Sequence, residues 1–376
     1  MTANNAQQEP NPTVYVREAP DDKSTEPNAT NHRTVVFFNT MVNQLAVLLP
    51  GKVPPSWLVR AVFPYLGQRS RRILIPPGIG RDAAAILYRN KVLVFSTDPI
   101  TGTATHIGAH SVIINANDIA TTGARPLWYL CTLLLPAGMN ERTLRQIMKE
   151  IHETSKSMGI SVIGGHSEAT HGLTRPIIAG FMVGEAHRGK LLMSGAGREG
   201  DRILLTKTAG LEGTAILATQ DLSRLRGIPE GVLQRAKKLF GQLSLVKEAL
   251  ALANMEGVHA MHDPTEGGVL NGLWELAEAS GLGIEVSAGK IPVTPETREI
   301  CSKLRLDPLK LMSSGALLIA ASPRKAPVIA RRIMLMKIRV SEVARLKARS
   351  TGRLVYRGTS KTPLKPVSRD ELYKLS

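Results

Sequence analysis

The sequence predicts a mixed α/β protein of two domains, and three observations carry that reading. The chain has 376 residues, more than one ordinary hydrophobic core organises. Between residues 72 and 184, short β-branched runs alternate with helical stretches. The segment Asn115–Pro126, NANDIATTGARP, sets an amide and a carboxylate three positions apart in an apolar run. Positions i and i+3 share one helix face. Asn115 and Asp118 therefore point together, and a carboxylate held among apolar residues needs a cation, a donor or a ligand.

Residues 1–33 are rich in Asn, Pro, Thr and Asp and read as a disordered tail. Residues 34–70 form an N-terminal helical segment, with helices at Thr34–Leu49 and Ser56–Leu66 broken by Pro50-Gly51 and Pro54-Pro55. Domain one spans 71–188. Its strands are Arg72–Ile75, Ala84–Tyr88 and Lys91–Phe95, the last ending at Asp98. The helix His106–Thr122 follows, with Gly123 as its C′ residue. Leu127–Leu135 reads as a strand, Asn140–Met158 as a helix, Gly159–Gly164 as a short strand ending in a Gly-rich turn, and Pro176–Gly184 as a further strand. Domain two spans 189–376. It holds a strand at Ile203–Thr206, helices at Glu212–Ala218, Leu222–Leu239, Gln242–Ala253 and Val269–Ala279, and strands at Ile284–Val286, Leu317–Ala320 and Arg353–Tyr356.

Bulk properties exclude several classes. Two cysteines, Cys131 and Cys301, lie far apart in apolar surroundings, which argues against a disulfide framework or a thiolate zinc site. No apolar run reaches ~18 residues, and no basic-then-apolar leader opens the chain, so no membrane span and a cytoplasmic location are expected. Net charge is +17, concentrated in Arg331–Lys365, where eleven Lys and Arg face Glu342 alone. This reads as a solvated basic surface. A nucleic-acid patch is the minor alternative, because no zinc-finger, RNP-like or Arg-Gly pattern accompanies it.

Four acids end strands or face out of helices in domain one: Asp82, Asp98, Asp118 and Glu168. Gly78, Gly80 and Ala83 match G-x-G-x-x-A, but strand follows strand there, so a dinucleotide site is not expected. The better reading is a Gly-rich turn presenting Asp82. Mg²⁺ prefers oxygen ligands shared with phosphates, and Gly-rich turns let backbone N–H groups approach phosphate closely. Dispersed carboxylates beside such turns suit a nucleotide–Mg²⁺ site, although each acid alone also reads as a cap or turn residue. His166, after Gly164-Gly165, is either a turn residue or a proton donor and phosphate contact. Asp263, after His262, is either a helix N-cap or a catalytic acid.

The ordered motifs Gly78-Ile-Gly-Arg-Asp-Ala-Ala84, Ser96-Thr-Asp98, Asn117-Asp-Ile-Ala120, Gly123-Ala-Arg-Pro126, Gly164-Gly-His-Ser-Glu168, Gly200-Asp201, Asp263-Pro-Thr-Glu-Gly-Gly268 and Ser314-Gly-Ala316 resemble the AIR synthase (PurM-like) superfamily. The likeness is strongest to HypE-type and archaeal AIR synthase-related proteins and covers residues 50–376. It implies an N-terminal α/β domain whose strands pair across a homodimer, a C-terminal α+β domain, and ATP held with Mg²⁺. It places Asp82, Asp98, Asp118 and Glu168 on the metal, and Gly80, Asn115, Asp118, Gly164, Gly165 and Ser167 on the nucleotide. His166 and Asp263 become the catalytic pair. The implied chemistry is phosphorylation or activation of a small-molecule acceptor, with a maturation-protein partner as a further expectation.

Two departures bear on this. Arg81 stands where the family motif commonly has a second acid, which puts the metal count in question. The tail Asp370–Ser376 lacks the Cys that HypE-type proteins carbamoylate, and no N-terminal reactive Cys suggests a selenophosphate synthetase. A different acceptor is expected. The alternatives are a kinase resembling thiamine-monophosphate kinase, with Asp263 and Glu266 as paired acids, and a non-enzymatic nucleotide-binding paralogue in metal-cofactor maturation.

Overall fold

The computed structural model describes residues 48, 50–101, 103, 105–187, 189–220 and 222–375. The expected tail and the Thr34–Leu49 helix lie outside the described residues, Leu48 apart. The span Leu48–Ser376 is one compact unit holding two sheets. It enters through a continuous helical run, Pro55–Tyr65.

The first sheet contains β1 (Ile73–Ile75), β2 (Ala84–Tyr88), β3 (Lys91–Ile100), β4 (Arg125–Pro136), β5 (Ser161–Thr170) and β6 (Ile177–His187), in the order β1-β2-β3-β6-β4-β5. β4 and β5 run parallel, and the other neighbours are antiparallel. The helices Ile107–Thr121 and Glu141–Met158 cover one face. Val94, Ile119, Tyr129, Ile151 and Met182 are fully buried between them. Asn140 caps the second helix by accepting from the Thr143 N–H at 2.9 Å, and Gly159 ends it at φ +69°.

The second sheet contains β7 (Arg202–Thr206), β8 (Val258–His262), β9 (Gly283–Ser287), β10 (Leu318–Ala321), β11 (Val340–Lys347), β12 (Arg353–Arg357) and β13 (Ser360–Pro363), in the order β13-β12-β9-β11-β7-β10-β8. The helix Gly268–Ala279 packs on one face through Leu273 and Leu276, against Ile284, Val286 and Leu346. Leu252 and Ile329, from the helices Val246–Leu252 and Ala326–Leu335, cover the other, over Leu204 and Ile319. Asn117 clamps the first-sheet helix to this half. Its Nδ2 donates to the Leu243 carbonyl at 2.8 Å, and its Oδ1 accepts from the Leu245 N–H at 3.0 Å.

Three expectations need correction. The helix expected over Leu222–Leu239 is helical only at Glu230–Lys238, because Pro229 sets its start. β8 and β11 are strands that short, partly polar runs did not reveal. The strand expected to stop at Gly164 continues through Gly-Gly to Thr170. Gly165 has φ +154°, and a Cβ there would lie 2.2 Å from the Cys131 carbonyl oxygen. Gly165 thus permits close strand contact rather than a turn.

Candidate functional site

The segment Asn115–Asp118 does its work at the end of β3. Asp118 is buried, and Ser96 Oγ donates to its Oδ2 at 2.6 Å. Burial pushes the Asp118 carboxyl well above the carboxylate range, and the charges of Asp98 and Asp82 add to that; the Ser96 bond only partly opposes it. Asn115 does not reach out of the fold. Its Oδ1 accepts from the Asp98 N–H at 2.9 Å, and its Nδ2 donates to the Ser111 carbonyl at 2.9 Å. Asn115 is fully buried, so the expected nucleotide contact becomes a brace for the Asp98 backbone. Asp98 itself is lifted to about 6 by burial, against the pull of Lys52, with Asp82 and Glu266 adding to the rise.

Asp82 leaves the loop before β2 and meets the second sheet. Its Oδ2 lies 2.8 Å from His262 Nδ1, and His262 Nε2 lies 3.0 Å from Glu275 Oε2. Burial works against a charged His262, but Asp82 and Glu275 outweigh it and raise the imidazole to about 10. Burial would likewise raise Glu275, yet Lys52 and His262 lower it to about 2. Lys52 Nζ stands 3.5 Å from Glu275 Oε1. The result is a chain of alternating charges, Asp82–His262–Glu275–Lys52, tying both halves and the entry segment together. Gly80 belongs to this join, because a Cβ there would lie 2.7 Å from the Glu275 carbonyl oxygen. Arg81 turns back, donating Nη1 to the Pro76 carbonyl at 2.8 Å.

Asp263 follows β8 fully buried, with no side-chain hydrogen-bond partner for either carboxylate oxygen. Burial and the Asp82 charge push it well above its ordinary value, a Gly315 amide offsetting only part. It is not the expected helix cap: the Gly268–Ala279 helix has Gly267 at its N-cap, and Asp370 Oδ2 accepts the Gly267 N–H at 2.6 Å. Beside these acids lies a cavity of about 360 Å³ between the end of β3, the Ile107–Thr121 helix and the Leu211–Gln220 helix. Asp98, Glu212, Glu266 and His110 line it, and Tyr373 donates to Glu266 Oε1 at 2.9 Å across its mouth.

Gly164, Gly165, His166, Ser167 and Glu168 do not join these acids within one copy of the chain. They lie on β5, in register along the row Asp98–Gly180–Cys131–Gly165. Three strand spacings of ~4.8 Å put that row about 14 Å long. His166 Nε2 meets Glu168 Oε2 at 3.3 Å, and both side chains are exposed. Sequence reasoning missed Lys52, His110, Glu212 and Glu275 as members of the cluster; it noted His262 beside Asp263 without giving it a role, and had Glu266 only as the partner acid of Asp263 in the kinase alternative. The motif HDPTEGG carried a signal for His262 and Glu266. Lys52 and Glu212 carry none, since each meets its partners only through the fold.

Among the described residues, no three His, Cys, Asp or Glu side chains come together as a ready-made cage for one ion. The Asp82 charge nonetheless adds to the raised proton affinity of Asp98, Asp118 and Asp263, and the Asp98 charge adds to that of Asp118. Such carboxylates fit a cation that takes one or two protein oxygens and completes its shell with phosphate and water, as Mg²⁺ does.

The two stacked halves, joined through an acid-rich cleft, define a class of two-domain α/β proteins. The AIR synthase related protein N-terminal domain matches residues 80–186, and the corresponding C-terminal domain matches 198–357. A Methanocaldococcus jannaschii protein described as a hydrogenase expression/formation protein is 33% identical over 252 residues, covering 65% of this chain and 72% of the relative. Thiamine-monophosphate kinase of Pyrococcus horikoshii is 31% identical over 234 residues, 61% of this chain and 69% of the kinase. The crystal structure of Escherichia coli HypE superposes with a TM-score of 0.66 at 26% identity, covering 74% of this chain and 87% of HypE. The chain belongs to the AIR synthase related family.

Proposed function

We propose that the protein is an ATP- and Mg²⁺-dependent enzyme that phosphorylates or otherwise activates a small acceptor. The observation that carries this is the acid cluster itself: Asp98, Asp118 and Asp263 are carboxyls whose proton affinities are raised by burial and by the charge of neighbouring Asp82, a concentration of carboxylates suited to a cation. Asp82, Asp98 and Asp118 would hold Mg²⁺, which supplies charge neutralisation for the triphosphate when bound. The chain's own residues then position. Ser96 fixes the Asp118 carboxylate, Asn115 fixes the Asp98 backbone, and His262 with Glu275 fixes Asp82. In phosphoryl transfer such positioning supplies much of the rate. Asp263 stands on the acceptor side as a proton-accepting acid.

The nucleotide contacts assigned to Gly164, Gly165 and Ser167, the metal role of Glu168 and the catalytic role of His166 require a second copy of the chain. β5 is an edge strand whose residues are almost all exposed, so it is free to approach a partner's cleft. A homodimer would complete the site. The acceptor would be separate from the chain's own thiols, because Cys131 and Cys301 are both buried, and burial raises both, Cys301 to about 12. Kinship with a hydrogenase expression/formation protein supports work beside a metal-cofactor maturation partner. A second reading, a kinase of the thiamine-monophosphate type, is favoured by the P. horikoshii relative and by Glu266 lining the cavity.

The test is ADP release by the full chain with Mg²⁺-ATP across a panel of phosphomonoesters, carboxylates and amides. Release that depends on one acceptor is the expected result. ATP binding without ADP from any of them would leave a non-enzymatic nucleotide-binding protein.

A further inference from the structure

We propose that the cavity beside Asp98 recognises the acceptor through a positively charged group, an amine, amidine or cationic ring, paired with Glu212. The proposal rests on the functional reading above and names the chemistry of its acceptor. Glu212 sits in the first turn of the Leu211–Gln220 helix and is 4% exposed. It lines the cavity, yet Oε2 has no hydrogen-bond partner. Its other oxygen rests 2.8 Å from His110 Nε2, and His110 is itself 1% exposed. One imidazole reaches one oxygen, so Oε2 stays unmatched whatever proton His110 carries. The terminal torsion of a Glu is broad, so either oxygen can face the cavity.

A buried carboxylate with an unmatched oxygen is costly, and it persists where a ligand supplies the missing partner. The rest of the wall supports a cation. Asp98 and Glu266 add negative charge, while Ile114 and Ile216 give apolar surface against which a flat organic group packs. The one lysine on the wall, Lys52, turns toward Glu275, 3.5 Å away, rather than toward Glu212. The volume of about 360 Å³ falls at the small end of ligand clefts. An anionic ligand would meet three carboxylates there. A neutral donor could bond Glu212 Oε2 but would leave the carboxylate charge unbalanced.

The probes are benzamidine and benzamide, nearly equal in shape, the first cationic and the second neutral. Calorimetry on the full chain is expected to show benzamidine binding at least ~10-fold tighter than benzamide, the discrimination typical of a charged hydrogen bond. Glu212→Gln is expected to remove that preference, while Glu266→Gln only weakens it. Equal binding of the two probes to the wild-type chain overturns the proposal without any variant. So does a preference that survives Glu212→Gln or vanishes only in Glu266→Gln. ATP binding is titrated separately on the same samples. Its absence, with benzamidine still preferred, would count against the ATP-using reading and leave the cation site standing.

Discussion

Asp263 is buried, has no side-chain hydrogen-bond partner and is raised well above its ordinary value by burial and by Asp82. A charge in that position destabilises the fold unless something neutralises it. Asp263→Asn is therefore expected to raise the Tm of the Mg²⁺-free protein by a few degrees near pH 8, and to lower ATP turnover. A scanning calorimeter reads the first effect, and an unchanged or lower Tm would count against it. The sequence pointed to Asp82, Asp98, Asp118 and Asp263 through their joint pattern beside Gly-rich turns and apolar runs, since each acid alone also reads as a cap or turn residue. It hid Lys52 and the Asp82–His262 pair, because those contacts span 223 and 180 residues. It misjudged Asn115 for a related reason. An amide in an apolar helix needs partners, but only the fold shows that the Asp98 backbone and the Ser111 carbonyl satisfy it.

At the scale of elements, the sequence located most strands and helices of the first half, because their apolar periods are clear and Asn140, Gly123 and Gly159 punctuate them. It failed at β5, where Gly164-Gly165 reads as a turn but the strand runs on and Gly165 lets it approach β4 closely. It failed again in the second half, where β8 is too short and polar to alternate cleanly. The short Glu371–Leu375 turn of helix is a separate case, docked by one carboxyl. Asp370 accepts the Gly267 N–H at 2.6 Å and the Leu372 N–H at 2.8 Å, and burial pushes it to about 7. An unfolded Asp titrates near ~3.9, so the folded value is raised and the protonated form favours docking. That stability is fully present below about pH 4 and is lost as pH rises through 7. Hydrogen exchange of residues 367–375, corrected for intrinsic rates, is expected to show more protection at pH 5.5 than at pH 8. Asp370→Asn is expected to flatten the difference, and protection that does not change with pH would contradict this assignment.

At the scale of the whole molecule, the first sheet has an uncovered face among the described residues and β5 as an exposed edge strand. Helices bury the side of the first sheet that carries Val94 and Met182. On the other side Phe95 and Phe181 stand 6.1 Å apart, with Phe181 and Ile163 exposed, and no element among the described residues covers them. An exposed apolar sheet face of this kind suits a second copy. Phe181→Asp is expected to give a folded monomer by light scattering, with ATP turnover lost; a variant that stays dimeric, or a monomer that stays active, would separate the dimer from the site. Part of the basic stretch Arg331–Lys365 is paired within the protein. Lys347 pairs with Glu285 at 3.1 Å, Arg357 with Asp307 at 3.2 Å, and Arg353 with Glu278 while lying over Trp274. Across the described residues no helix is long and apolar enough to cross a membrane. What the two halves share is the acid-rich cleft, and its purpose is tested most directly by titrating ATP into the full chain with and without Mg²⁺. We expect saturable binding that requires Mg²⁺ and is abolished by Asp118→Asn in a protein that still folds. Binding that ignores both the ion and the substitution, or no binding at all, would contradict the assignment of this cleft to a nucleotide and its metal.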